Sequence, residues 1–96
     1  GTGLDEAGAG VESLTAMIYP NPSADMAKLA VGLSLPSTLK ADIYNMLGSR
    51  ISTVTEKDLP AGRHIMDLDI QALEPGIYFC VITAGDAMQT IKFIKQ

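Results

Sequence analysis

The chain has 96 residues, enough for one small domain that buries roughly 60–65% of its unfolded surface. With 47% hydrophobic and 19% charged residues it has a globular balance and not a disordered one. The net charge of −4 is gathered at one end, where residues 1–14 hold Asp5, Glu6 and Glu12 and no Lys or Arg; the rest is nearly neutral, without the basic stripe that a nucleic-acid partner requires.

The opening "GTGLDEAGAGVESL" contains four Gly and no aromatic residue, and residues 1–13 are expected to form a flexible linker. "TAMIY" at 15–19 is a short strand candidate, stopped by "YPNPSAD", in which Pro20 and Pro22 each remove a backbone donor. "KLAVGLSL" alternates cleanly, with Leu29, Val31, Leu33 and Leu35 on one face, and predicts a half-buried strand. "LKADIYNM" alternates again through Leu39, Ala41 and Ile43. "LGS" turns the chain at Gly48, where positive φ is needed.

"RISTVT" at 50–55 reads as a partly exposed strand, and "EKDLPAG" at 56–62 as a loop. "RHIMDLDI" sets His64, Met66, Leu68 and Ile70 against Arg63, Ile65, Asp67 and Asp69. After "QALEPG", the segments "IYFCVITA" and "AMQTIKFIK" flank Gly85-Asp86 as a β-hairpin with a two-residue turn. Seven short strands with turn signals roughly every 8–12 residues predict an immunoglobulin-like antiparallel β-sandwich. Its expected core is Leu29, Val31, Leu33, Ile43, Leu68, Phe79, Val81 and one of Phe93 or Ile94.

No apolar run approaches the ~18 residues of a membrane-spanning helix, so no transmembrane segment is expected. The single Cys80 excludes an internal disulfide and a thiolate zinc site. Cys80 and His64 are each unique, yet both lie inside apolar strand patterns with no nucleophile motif around them, and no catalytic site is assigned. Asp67 and Asp69 share a strand face and read as a solvated surface rather than a Ca²⁺ site; no metal or cofactor is expected.

The order of the short motifs carries more than any one of them. "YPNPSAD" comes early, "ADIYNMLGSRI" in the middle, "LDIQALEPGIYFCVI" later and "IKFIKQ" last. Together they resemble the C-terminal sorting domain of the type IX secretion system in its type A form, over roughly residues 17–96. Ser49 departs from that pattern, standing where the family often has a polar amide or Lys. The residues that carry the resemblance are Pro20, Asn21, Pro22, Gly48, Gly76, Tyr78, Lys92, Phe93, Ile94 and Lys95.

The resemblance implies a non-catalytic transport address on a larger cargo protein of a Gram-negative bacterium. Its expected partners are the outer-membrane secretion machinery, including a shuttle barrel, and a sortase-like cysteine peptidase that cleaves in the linker. It implies residence at the cell surface or outside the cell, and a C-terminal strand that is itself read. A homodimer through edge strands is a further expected association. Lys92 and Lys95 have two open readings, contact with an acidic receptor or protection of an edge strand. The alternative function is an adhesion or carbohydrate-binding module. That reading would want an aromatic platform, and the chain has no Trp and only three scattered tyrosines, Tyr19, Tyr44 and Tyr78.

Overall fold

The structure, a computed structural model, describes residues 13–96. The linker expected at 1–13 therefore lies outside the described residues, apart from Ser13. Seven strands follow in chain order: β1 (Leu14–Tyr19), β2 (Met26–Leu33), β3 (Ser37–Asn45), β4 (Arg50–Leu59), β5 (Gly62–Asp69), β6 (Gly76–Ala84) and β7 (Ala87–Lys95). They form two antiparallel sheets, one ordered β1-β2-β5 and the other β4-β3-β6-β7. This is the expected sandwich.

Side chains alternate across each strand, so one set of positions from each sheet fills the space between them. Leu29, Val31, Leu33, Leu39, Ile43, Leu68, Ile70, Ile82 and Phe93 are all buried there. The expected core is correct at Leu29, Val31, Leu33, Ile43 and Leu68, and Phe93 rather than Ile94 is the buried member of the last strand. Phe79 and Val81 require correction. They are only half-buried and lie on the outer face, while Tyr78, Cys80, Ile82 and Ala84 face the core.

The physical reason is that β6 is the inner partner of both β3 and β7. Its register sets Cys80 against Ile43 and Tyr78 against Phe93, and those buried partners fix which face turns inward.

The segment 56–62 also differs from the loop expected there. β4 continues to Leu59 and β5 begins at Gly62, leaving only Pro60 and Ala61 between them. β4 is a sheet edge and mostly exposed, so Glu56, Lys57 and Asp58 can remain solvated while their backbone pairs with β3. Its register slips twice against β3, between Ala41 and Asp42 and between Ile43 and Tyr44. Such bulges bend an edge strand and weaken it as a template for further pairing.

At the expected turns, Gly48 takes φ 84° and Gly85 φ 59°, a region that costs side-chain-bearing residues energy. The 45–49 turn is held by Asn45. Its Oδ1 accepts from the backbone N–H of Leu47 (2.9 Å) and of Ser49 (3.0 Å). The outer face of β3 carries Asp42, which is nearly buried. Its Oδ2 lies 3.9 Å from Lys40 Nζ, and its Oδ1 has no hydrogen-bond partner among the described residues.

Candidate functional site

Two of the sequence motifs, Pro20–Pro22 and Lys92–Lys95, meet in the fold. After β1 the chain turns through two cis peptide bonds, Tyr19–Pro20 and Asn21–Pro22, and runs alongside the end of β7. Asn21 bonds backbone more than 70 residues away in sequence. Its Nδ2 donates to the carbonyl of Lys92 at 3.2 Å, and its Oδ1 accepts from the N–H of Ile94 at 3.1 Å. One side-chain amide thus occupies the position that a neighbouring strand's peptide group would take.

Ser23 continues the seam. Its N–H donates to the carbonyl of Ile94 at 2.8 Å, and its carbonyl accepts from the N–H of Gln96 at 2.7 Å. This makes a short parallel bridge between Ser23 and Lys95. Ser23 is buried, and its hydroxyl donates to the carbonyl of Pro20, closing the turn on itself. The outer edge of β7 from Lys92 to Gln96 is therefore paired, although β7 is the last strand of its sheet. Further along, β7 lies beside β1, where Gln89 Nε2 donates to the carbonyl of Leu14 at 3.1 Å.

The "PGIY" motif supports this edge from the other side. Gly76 opens β6 with φ 156° and pairs with Lys95. Tyr78 is buried and stacks on Phe93, its cross-strand partner, with ring centroids 5.8 Å apart. Its hydroxyl donates to the carbonyl of Glu74 at 2.6 Å, four residues upstream. That is the tyrosine-corner arrangement of immunoglobulin-like sandwiches, and it places the ring so that its polar end is satisfied while its body fills the core.

The two lysines occupy different environments. Lys92 is exposed on the outer face, in one register row with Phe79 and Tyr44. Lys95 is on the core-facing side and only 8% exposed, with its Nζ donating to the carbonyl of Gln96 at 2.7 Å. Gly48 is not part of this cluster; its turn joins β3 to β4, on the far edge of the same sheet. The sequence reading missed Ser23 and Asn45. Asn45 had a signal, an Asn three residues before a turn Gly, whereas Ser23 reads as an ordinary turn residue.

The other chemical candidates are separated or engaged. His64 is in the three-stranded sheet, its Nε2 2.8 Å from the carbonyl of Pro60, while Cys80 is fully buried in the other sheet. Burial, helped by the charge of Asp42, pushes the Cys80 thiol up to about 12, the opposite of an activated nucleophile. Asp67 pairs with Lys28, whose ammonium it holds above the ordinary lysine range. Asp69 accepts from the backbone N–H of Gln71 at 3.1 Å. Tyr19 and Tyr44 lie on the outer faces of different sheets and Tyr78 is in the core, so the tyrosines form no common platform.

The family model of the secretion system C-terminal sorting domain matches residues 17–96, a span that holds both halves of this seam. The chain belongs to that family. The family is a sorting signal of type IX secretion, generally non-catalytic, and marks proteins for export across the outer membrane to the cell surface or beyond. The same sandwich occurs in the crystal structure of dimeric latent PorU from Porphyromonas gingivalis, with a TM-score of 0.69 at 14% identity. That match covers 88% of this chain and 9% of that one, so this chain spans a small part of its structural relative.

Proposed function

We propose that the secretion machinery recognises the composite edge formed by the Pro20–Ser23 turn and the Lys92–Gln96 end of β7, and not the terminal residues as a linear tag. The observation that carries this reading is the pair of hydrogen bonds from Asn21 to Lys92 and Ile94, with Ser23 extending the seam. A sorting signal must be distinguishable from the many β-domains that also end in a strand. A turn that seals the last strand with a side-chain amide gives a shaped surface, where a bare strand edge would pair with any exposed strand.

In this reading the domain has no catalysis of its own. A shuttle barrel of the outer membrane receives the folded sandwich, and a sortase-like cysteine peptidase cleaves within residues 1–13, ahead of β1. Lys92 stands on the exposed face with Phe79 and Tyr44 beside it in register, so a receptor that senses this lysine also meets that half-buried aromatic pair.

The test fuses residues 1–96 to an exported reporter in a type IX-competent host. Deleting Lys92–Gln96 is expected to leave the reporter in the periplasm, but that deletion also strips Phe93 from the core. Asn21→Ala separates the causes, since it opens the seam at a cost of only ~1–2 kcal/mol. Asn21→Ala that folds and is retained in the periplasm supports the composite edge. If Asn21→Ala is exported normally while Lys92→Gln is not, the lysine and its face are what is read. Normal export of the five-residue deletion would sink the sorting mechanism and favour the adhesion module.

A further inference from the structure

The sandwich has four edge strands, and three of them are closed or defended. β7 is sealed by the turn at 20–23, and β1 lies against β7. β4 is bulged twice, and Lys57, opposite the buried Leu39, points a charge toward the core side of that edge. β5 has none of these devices. It pairs with β2 in unbroken register over all eight residues, contains no Pro or Lys, and makes no backbone hydrogen bond on its outer side among the described residues.

We propose that β5 is a self-association edge, pairing antiparallel with β5 of a second copy of this chain about a two-fold axis at Ile65. The occupant follows from the pattern of side chains. A two-fold axis perpendicular to the sheet pairs residues whose numbers share parity, because the outer face must map onto the outer face. With Ile65 opposite Ile65 of the second copy, Arg63 stands opposite Asp67, and Asp67 opposite Arg63. Both ends of the join then carry a cross-strand ion pair on the face that is exposed in the single chain, with Asp67 placed between Arg63 of the second copy and the Lys28 that it already meets across β2. No other partner chemistry is needed to satisfy this edge.

The neighbouring strands agree with the same register. Met17, Ala30 and Ile65 form one row across the three-stranded sheet, and Met17 and Ile65 are 57% and 65% exposed. They wall a groove of about 410 Å³ floored by Ala30 and Gly32. Gly32 cannot be enlarged without displacing Thr15, whose hydroxyl oxygen would lie 2.6 Å from an added Cβ. In the dimer this apolar row runs on unbroken through the second copy, giving a six-stranded sheet with the two Ile65 side chains packed side by side at its centre. This inference is independent of how the sorting edge is read, since β5 and β7 belong to different sheets.

Sedimentation velocity of the intact chain tests it, with circular dichroism to verify that each variant is folded. Wild type is expected to show a concentration-dependent monomer–dimer equilibrium. Arg63→Asp and Asp67→Arg should each weaken it by about tenfold or more, by turning two attractions into two repulsions. An equimolar mixture of those two variants should recover a heterodimer, because each supplies the charge that the other lacks. Ile65→Cys should be captured as a dimer by a short thiol crosslinker, while Met88→Cys, on an exposed position of β7, should not. The buried Cys80 leaves the background low. A chain that stays monomeric throughout, a dimer indifferent to both charge variants, or a dimer that Ile65→Cys cannot capture would each overturn the proposal.

Discussion

The two edges of the four-stranded sheet are built on opposite principles. β7 is regular, keeps its register through nine residues, buries Phe93 and Lys95, and has its outer side sealed near the end by a turn more than 70 residues away in sequence. β4 is the longer strand, ten residues, yet it slips register twice and buries no side chain fully. One edge is protected by being occupied and the other by being irregular. Occupation fixes a shape that a receptor can recognise, whereas irregularity only discourages wrong partners. The difference therefore identifies β7 as the edge under structural specification.

The comparison breaks most decisively at the core. Phe93→Ala removes a fully buried ring stacked on Tyr78, and should cost ~3–5 kcal/mol, a large share of the stability of a small domain. The matching change on the other edge, Val54→Ala, removes a half-buried side chain and should cost ~1 kcal/mol. Urea denaturation of both variants measures the ratio. Equal losses would mean that the two edges are anchored alike.

Raising the pH acts on the shared centre of the sheet instead of either edge. Cys80 sits on β6, between β3 and β7, with its thiol raised from an ordinary 9.0 to about 12 by burial. Below pH 9 both folded and unfolded chains hold the proton. Between pH 9 and about 12 the unfolded chain releases it while the fold keeps it, so stability falls as pH rises, by ~1.4 kcal/mol per pH unit. The loss should be global, lowering protection of β4 and β7 amides together. Other groups also titrate in this range, so the measured quantity is the difference between wild type and Cys80→Ala. The same pH slope in both would show that Cys80 is not its source.

Opening the seam has a smaller and local effect. Asn21→Ala removes two hydrogen bonds at an exposed position and should cost ~1–2 kcal/mol. Hydrogen exchange should quicken at Ile94 and leave β4 unchanged. Asn21→Asp sharpens the point, since a carboxylate still accepts from Ile94 N–H but presents oxygen to the Lys92 carbonyl. It should be worse than Ala at neutral pH and recover as the carboxyl protonates in acid. Uniform quickening across both edges would contradict a local seam.

The sequence was most legible where one face is apolar and the other polar. The alternation in 28–35 and 63–70 located both strands and the buried faces at Leu29, Val31, Leu33 and Leu68, but Leu35, expected on the same face, is exposed because β2 ends at Leu33 and the chain has already turned. It failed at 77–84, where "IYFCVITA" is apolar almost throughout, so nothing local distinguishes Phe79 from Tyr78; the partners Ile43 and Phe93 decide. It failed again at 56–59, because an edge strand can be charged on both faces and still pair its backbone. The motif residues at 20–22 and 92–95 were legible one by one. Their meeting was not, because it depends on a turn whose two prolyl bonds are both cis and on a packing of the two sheets that puts β1 beside β7.

The smallest expected effect lies on β4, and it separates stability from edge protection. Lys57 pairs with Leu39, which is buried, so the lysine stem turns toward the core side at the rim while its ammonium remains in water. Replacing an exposed edge lysine with Val should change unfolding free energy by no more than ~0.5 kcal/mol, because no buried contact or ion pair is lost. It also removes the charge that makes strand addition on that side costly. Lys57→Val is therefore expected to unfold at the same urea concentration as wild type while scattering light sooner on concentration. The equivalent change at Lys92 should leave scattering near the wild-type level, because the seam from Asn21 and Ser23 already occupies that edge. If Lys92→Val aggregates as readily as Lys57→Val, occupation by the turn is not what protects β7, and the contrast between the two edges fails at its root.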